Sequence, residues 1–219
     1  MIRNKECWYK EVCVYEFCTN CIRFSEMKYL MENSGIPVNK QLPQTLTACP
    51  DDVSAFYKLA DIKDNILNFV ENGNNLYICS NYTGNGKTSW ALKLMLKYFD
   101  SVWAGNGFRV RGLFVNVPTL LLQLKNFKNP ISEDYKRNLM NCDLVIFDDI
   151  ADVAISNYDY SNLFMIIDYR LQNGLSCIFT SNQTTKESLE KLVGSRIASR
   201  VWNTSEIIEF KGKDRRSEW

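Results

Sequence analysis

Two hydrophobic periods share this chain. Short apolar runs bounded by polar turns stand at 76–80, 112–117, 144–147, 177–180 and 207–210 and predict five strands. Helical spacing fills the gaps between them. A long helix is expected from about Gly86, carrying Trp90, Leu94, Met95 and Tyr98, with further helices over 119–127, 132–140, 162–172, 186–192 and 196–202. An amphipathic stretch at 61–70 precedes the first strand. Strand and helix in alternation predict an α/β fold, a five-stranded parallel sheet with helices on both faces. Nearer the N-terminus, Phe24, Met27, Leu30 and Met31 predict a helix over 22–33 that stops at Gly35. The polar stretch 36–50 holds Pro37, Pro43 and Pro50 and reads as a linker. The expected organisation is a small module at 1–45 followed by the α/β domain at 51–219.

Charge narrows the partners. With 26 Lys+Arg against 25 Asp+Glu the net charge is +1, so no global positive field holds nucleic acid and any contact must be local. The stretch 106–140 is the local candidate: Arg109, Arg111, Lys125, Lys128, Lys136 and Arg137 face only Glu133 and Asp134, an excess of +4, and Phe127 could stack a base of single-stranded DNA. Histidine is absent, which removes imidazole triads and every His-containing zinc site. The charged N-terminal segment lacks the apolar stretch of an export signal, and the most apolar later run, 112–124, is interrupted by Asn116 and Pro118 and too short to span a bilayer. A cytoplasmic protein without membrane contact is expected, with its eight Cys reduced or bound to metal.

Four of those cysteines, Cys7, Cys13, Cys18 and Cys21, crowd into C-x5-C-x4-C-x2-C, a set that could close a tetrahedral structural Zn²⁺ site. Cys49, Cys79, Cys142 and Cys177 read as structural. The decisive segment is Asn81-Tyr82-Thr83-Gly84-Asn85-Gly86-Lys87-Thr88, followed by Ser89, between an expected strand and an expected helix. Backbone N–H groups of such a loop cradle phosphates at a helix N-terminus, Lys87 reaches the outer phosphates, and Thr88 offers a hydroxyl to Mg²⁺. Asn81 stands where the motif has its first Gly, a place that Asn fills as the side chain most tolerant of left-handed backbone. The strand Leu144-Val-Ile-Phe147 ends in Asp148 and Asp149, 61 residues beyond Lys87 in the case of Asp148. Asp148 can hold the Mg²⁺ shell and Asp149 can polarise an attacking water.

Residues 60–216 resemble the AAA+ ATPase domain of DnaC/DnaI-type replicative helicase loaders, in particular phage-encoded ones. The resemblance rests on NLYICSNYTGNGKTSWALKL, LVIFDDI, IIDYRLQNGLSCIFTSN, LEKLVGSRIASRV and FKGKDRRSE. It implies that Asn182 reads the γ-phosphate, that Arg200 (Arg196 being the second candidate) is the finger offered to a neighbouring subunit's nucleotide, and that Arg216 or adjacent Arg215 acts as a second sensor. It also implies ATP and ADP as ligands, slow hydrolysis stimulated by self-association, and a DnaB-type hexameric helicase docked by the N-terminal module, in a bacterial host's cytoplasm. Arg170 stays open between a surface and a functional role. An IstB-type transposition helper and a nucleotide-gated module with negligible hydrolysis are the alternatives. A small-molecule kinase would need a lid of arginines that TSN followed by GSRIASR does not provide.

Overall fold

The five apolar runs form β1 (Asn75–Cys79), β2 (Gly112–Asn116), β3 (Leu144–Asp148), β4 (Ser176–Ser181) and β5 (Ser205–Glu209). The structure, a computed structural model, describes Cys7, Cys13 and residues 21–41, 46–102, 108–125, 131–151 and 157–213. All pairings are parallel and the strand order is β2-β3-β4-β1-β5. Burial on both faces explains why the strands are nearly continuous apolar runs rather than alternating ones. Leu76, Ile78, Leu144, Ile146, Ile178 and Ile208 pack on one side. Tyr77, Cys79, Val145, Phe147, Cys177 and Phe179 pack on the other.

The first face is covered by α1 (Ile22–Asn33), α2 (Val53–Asp64), α3 (Ile66–Glu71) and α4 (Lys87–Ser101). The second is covered by α5 (Val117–Leu124), α6 (Glu133–Asn141), α7 (Asn157–Gln172), α8 (Lys186–Val193) and α9 (Ser195–Thr204). Local chemistry sets several starts. Asn116 Oδ1 accepts the Thr119 N–H at 3.2 Å with Pro118 in the first turn of α5, and Ser132 Oγ accepts the Tyr135 N–H at 3.2 Å ahead of α6. Thr185 and Ser188 cap α8 reciprocally.

Two stretches differ from expectation. Helix begins at Val53, not near 61, because Pro50 opens a one-turn 3-10 helix that leads directly into α2. It then breaks at Asn65, whose amide turns back to the Asp61 carbonyl at 3.1 Å. In the segment assigned to the N-terminal module, Met27, Leu30, Met31 and Ile36 share the core beneath α2–α4. Arg23 pairs with Asp100 at 2.8 Å, and the Ser34 carbonyl accepts the Phe114 N–H of edge strand β2 at 2.7 Å. The helical half of that segment thus packs in the same core as the α/β domain.

Arg170 has a structural role. It is fully buried on α7 and donates to the carbonyls of Leu139 at 3.0 Å, Cys142 at 2.9 Å and Ser176 at 2.8 Å, joining the end of α6 to the starts of β3 and β4. Arg170→Met strands those carbonyls and is expected to lower stability by about 3 kcal/mol in urea unfolding. An unchanged midpoint would show the carbonyls satisfied by other means.

Burial pushes the Cys79 thiol up to about 12, with the Glu209 charge adding to the effect, and burial likewise pushes Cys142 up to about 11. Cys177 moves the same way. Unfolded thiols begin to ionise near 9.0 while these keep their protons, so the folded state binds more protons in alkaline solution and stability falls as pH rises past that value. The thermal midpoint is expected to drop between about pH 8 and about pH 10.5. A flat profile would contradict the burial argument.

Candidate nucleotide-binding site

Since β4 lies between β1 and β3, the carboxyl ends of three adjacent strands open onto one crevice, the usual ligand position in an open α/β sheet. The loop 80–86 leaves β1 and enters α4 at Lys87. Gly86 caps α4 with φ 100° and Gly84 has φ 70°, backbone that side chains resist, and this geometry turns the chain into the helix. The first N–H groups of a 15-residue helix are thereby presented at the loop, a ready anion site.

The loop is held from within. Ser80 Oγ accepts the Tyr82 N–H at 3.1 Å and the Asn85 amide at 2.5 Å. Lys87 and Asn85 are buried, and the Lys87 ammonium donates to the Tyr82 carbonyl at 2.7 Å and to Asn85 Oδ1 at 3.3 Å. Asn81, Tyr82 and Thr83 form the exposed outer limb, and Ser89 is half-buried on α4. The reason expected for Asn81 is corrected. Among the described residues only Asp149 is a non-glycine with positive φ, so Asn81 does not need left-handed tolerance. Its Oδ1 instead accepts the Thr184 hydroxyl at 3.1 Å, tying the loop to the segment after β4.

Across the crevice, Asp148 is 4% exposed at the end of β3. A single oxygen, Oδ1, accepts the Thr88 hydroxyl at 2.8 Å and the Thr180 hydroxyl at 2.7 Å. Thr180 Oγ1 in turn accepts the Asp149 N–H at 3.0 Å, where the backbone turns at φ 57°. Thr180 and Ser80 were not singled out from sequence; the only signal was a hydroxyl closing each apolar strand. Asn182 is half-buried immediately after β4, at the same end of the sheet.

Other expected residues lie elsewhere. Arg200 on α9 donates its Nε to Asp168, and its guanidinium sits 4.7 Å from the Phe164 ring centre, so both partners belong to α7 and neither to the phosphate loop. Arg215, Arg216, Cys18, Phe127 and Lys128 lie outside the described residues. Cys7 is buried, Cys13 half-buried and Cys21 exposed, and among the described residues no group of three or more His, Cys, Asp or Glu is placed to hold a metal. The described basic residues of the stretch 106–140 are paired with acids. Arg109 and Arg111 meet Asp143 at 3.0 and 3.2 Å, and Lys125 meets Asp159 at 2.7 Å, both acids lying beyond the stretch in which charge was counted. Lys136 and Arg137 pair with Glu133 and Asp134, each at 2.7 Å. No described helix is long and apolar enough to cross a membrane.

The oxygen pair of Thr88 and Asp148 suits a hard divalent cation such as Mg²⁺, which prefers carboxylate, hydroxyl and phosphate ligands. Phosphate loop, acid-ended β3 and strand order define a P-loop nucleotide-binding protein with an AAA+ sheet. A family model described as "IstB-like ATP binding protein" matches residues 57–218, and the chain belongs to this family of ATP-binding proteins. The crystal structure of the DnaC helicase loader is similar at TM-score 0.65 and 19% identity, covering 76% of this chain and 94% of that one. DnaI is similar at TM-score 0.63 and 21% identity, covering 83% and 94%. AMPPCP-bound DnaA from Aquifex aeolicus is similar at TM-score 0.59 and 15% identity, covering 75% and 48%. At these identities the likeness is one of fold, and it bears out the expected AAA+ architecture. No curated protein matches the chain.

Thr180→Val keeps the strand while removing both hydroxyl bonds. It is expected to weaken binding of a nonhydrolysable ATP analogue with Mg²⁺ by about tenfold, read by calorimetric titration. Unaltered affinity would mean that Asp148 is placed without Thr180.

Proposed function

We propose that this chain is an ATP-dependent loader of a replicative hexameric helicase onto single-stranded DNA. The observation that supports it most is the Thr88–Asp148–Thr180 cluster facing the phosphate loop, on a fold that spans 94% of the DnaC helicase loader. In this reading ATP lies along the 81–89 loop with its phosphates over the N-terminus of α4, and Lys87 exchanges the Tyr82 carbonyl for a phosphate oxygen. Thr88 and Asp148 hold Mg²⁺, which neutralises phosphate charge when bound. Asp149 and Asn182 orient the attacking water. Asp149 is a methylene shorter than Glu, in keeping with slow turnover.

The remaining assignments follow from the same reading. Arg200 of one subunit leaves Asp168 to meet the neighbour's γ-phosphate, so hydrolysis reports assembly; arginines supplied in this way contribute about 10³ to 10⁵ in rate. Arg216 acts as a second sensor on ADP or ATP. Residues 1–45 dock the helicase, and the described cysteines Cys7, Cys13 and Cys21 are not placed together as a Zn²⁺ site would need. DNA contact, with the described basic residues paired internally, comes from the assembled ring and not from an isolated patch.

A second reading, a helper ATPase for a transposase, draws on the family match itself. One experiment separates them. Tagged full-length protein and a form lacking residues 1–20, which keeps the core helix α1, are incubated in host lysate with ATP, and the captured hexamer is identified by mass. The loader reading expects a replicative helicase on the full chain and its loss on truncation. Capture of a transposase instead would overturn it.

A further inference from the structure

The phosphate loop is braced from a direction that no motif marks. Beyond β5 the chain continues along β1, with the Phe210 N–H donating to the Cys79 carbonyl at 2.8 Å, so residues 210–212 run beside the point where the loop leaves the sheet. The Gly212 carbonyl there accepts the Asn85 amide at 3.3 Å. On its other side the same backbone is gripped by Asp52. One carboxylate oxygen accepts both the Lys211 N–H at 2.6 Å and the Gly212 N–H at 3.0 Å.

Asp52 stands at the N-cap position of α2, where an Asp ordinarily bonds its own helix. It makes no such side-chain cap, and although it is 3% exposed its carboxylate is spent on a segment about 160 residues away in sequence. A carboxylate accepting from two backbone N–H groups makes short, strong bonds and holds that backbone firmly. From Gly212 the line continues through the Asn85 amide to Asn85 Oδ1, which receives the Lys87 ammonium.

We propose that Asp52 is a positioning residue of the phosphate loop: it fixes the 211–212 backbone, that backbone fixes Asn85, and Asn85 sets where the Lys87 ammonium waits for phosphate. The inference rests on the ATP-binding reading of the loop. It adds that the segment entering α2 tunes nucleotide affinity, so the chain ahead of the domain is mechanically joined to the nucleotide.

The test measures affinity for a nonhydrolysable ATP analogue by calorimetry on full-length Asp52→Ala, Asp52→Asn, Asn85→Ala, the Asp52→Ala/Asn85→Ala double variant and Lys87→Ala, with urea unfolding of each. Asp52→Ala is expected to weaken binding about fivefold, the worth of one hydrogen bond, and Asp52→Asn about twofold because its amide oxygen still accepts. The double variant is expected to bind no more weakly than Asn85→Ala alone, a non-additivity that a merely structural Asp52 would not produce. Wild-type affinity in Asp52→Ala, or losses that multiply in the double variant, would overturn the proposal. If Asp52→Ala does not fold, Asp52→Asn with and without Asn85→Ala decides by the same criterion. A Lys87→Ala protein that binds as the wild type does would instead remove the ATP reading of the loop, whatever Asp52 does.

Discussion

One carboxylate oxygen gathers the site. Asp148 Oδ1 receives hydroxyls from Thr88, at the start of α4, and from Thr180, at the end of β4, so a single acceptor on β3 ties three elements of the crevice together. Hydroxyl bonds to a carboxylate oxygen are short and strong, and this one is largely withdrawn from water. It also restrains β3 and β4 where their ladder ends, just before the backbone turns at Asp149. A cation seated between Thr88 and Asp148 would enter a preformed oxygen pair, and Thr180 would keep the carboxylate aimed when the Thr88 hydroxyl turns to the metal.

The sheet makes that geometry stiff. With both faces buried and β1 flanked by β4 and β5, the strand ends cannot shift independently without disturbing packed layers on either side. Arg170 performs the corresponding task at the opposite ends of β3 and β4, where its guanidinium meets the Cys142 and Ser176 carbonyls. The rigid frame thus has a polar fastening at each end, one buried cation and one buried anion.

Most of the frame was legible in the sequence because its signals are local. All five strands fall within two residues of the expected runs, since a doubly buried parallel strand leaves an uninterrupted apolar segment between turns. The meeting of Thr88 with Asp148 was legible because one follows a Gly-rich turn into a helix and the other closes an apolar strand, both at the same end of the sheet. What escaped was long-range. Thr180 acts through a partner 32 residues away and Asp52 through one 160 away, and neither separation leaves a mark in a window of neighbours. The pairing of the basic stretch was hidden for the same reason, because Asp143 and Asp159 meet three of its cations from outside the counted segment. Pro50 was read as linker when it opens a helix, since a proline ends one element or begins the next with equal ease.

The contact between Ser34 and Phe114 bears on how copies of this chain can meet. In an edge strand every second N–H faces outward, and Phe114 is the middle residue of β2. Its amide is already taken by the chain's own backbone. An arriving strand from another molecule would therefore find the central rung of that border closed, which protects the fold from runaway ladder growth on this side. Along this border, any meeting of two copies is left to side chains and loops rather than to backbone rungs.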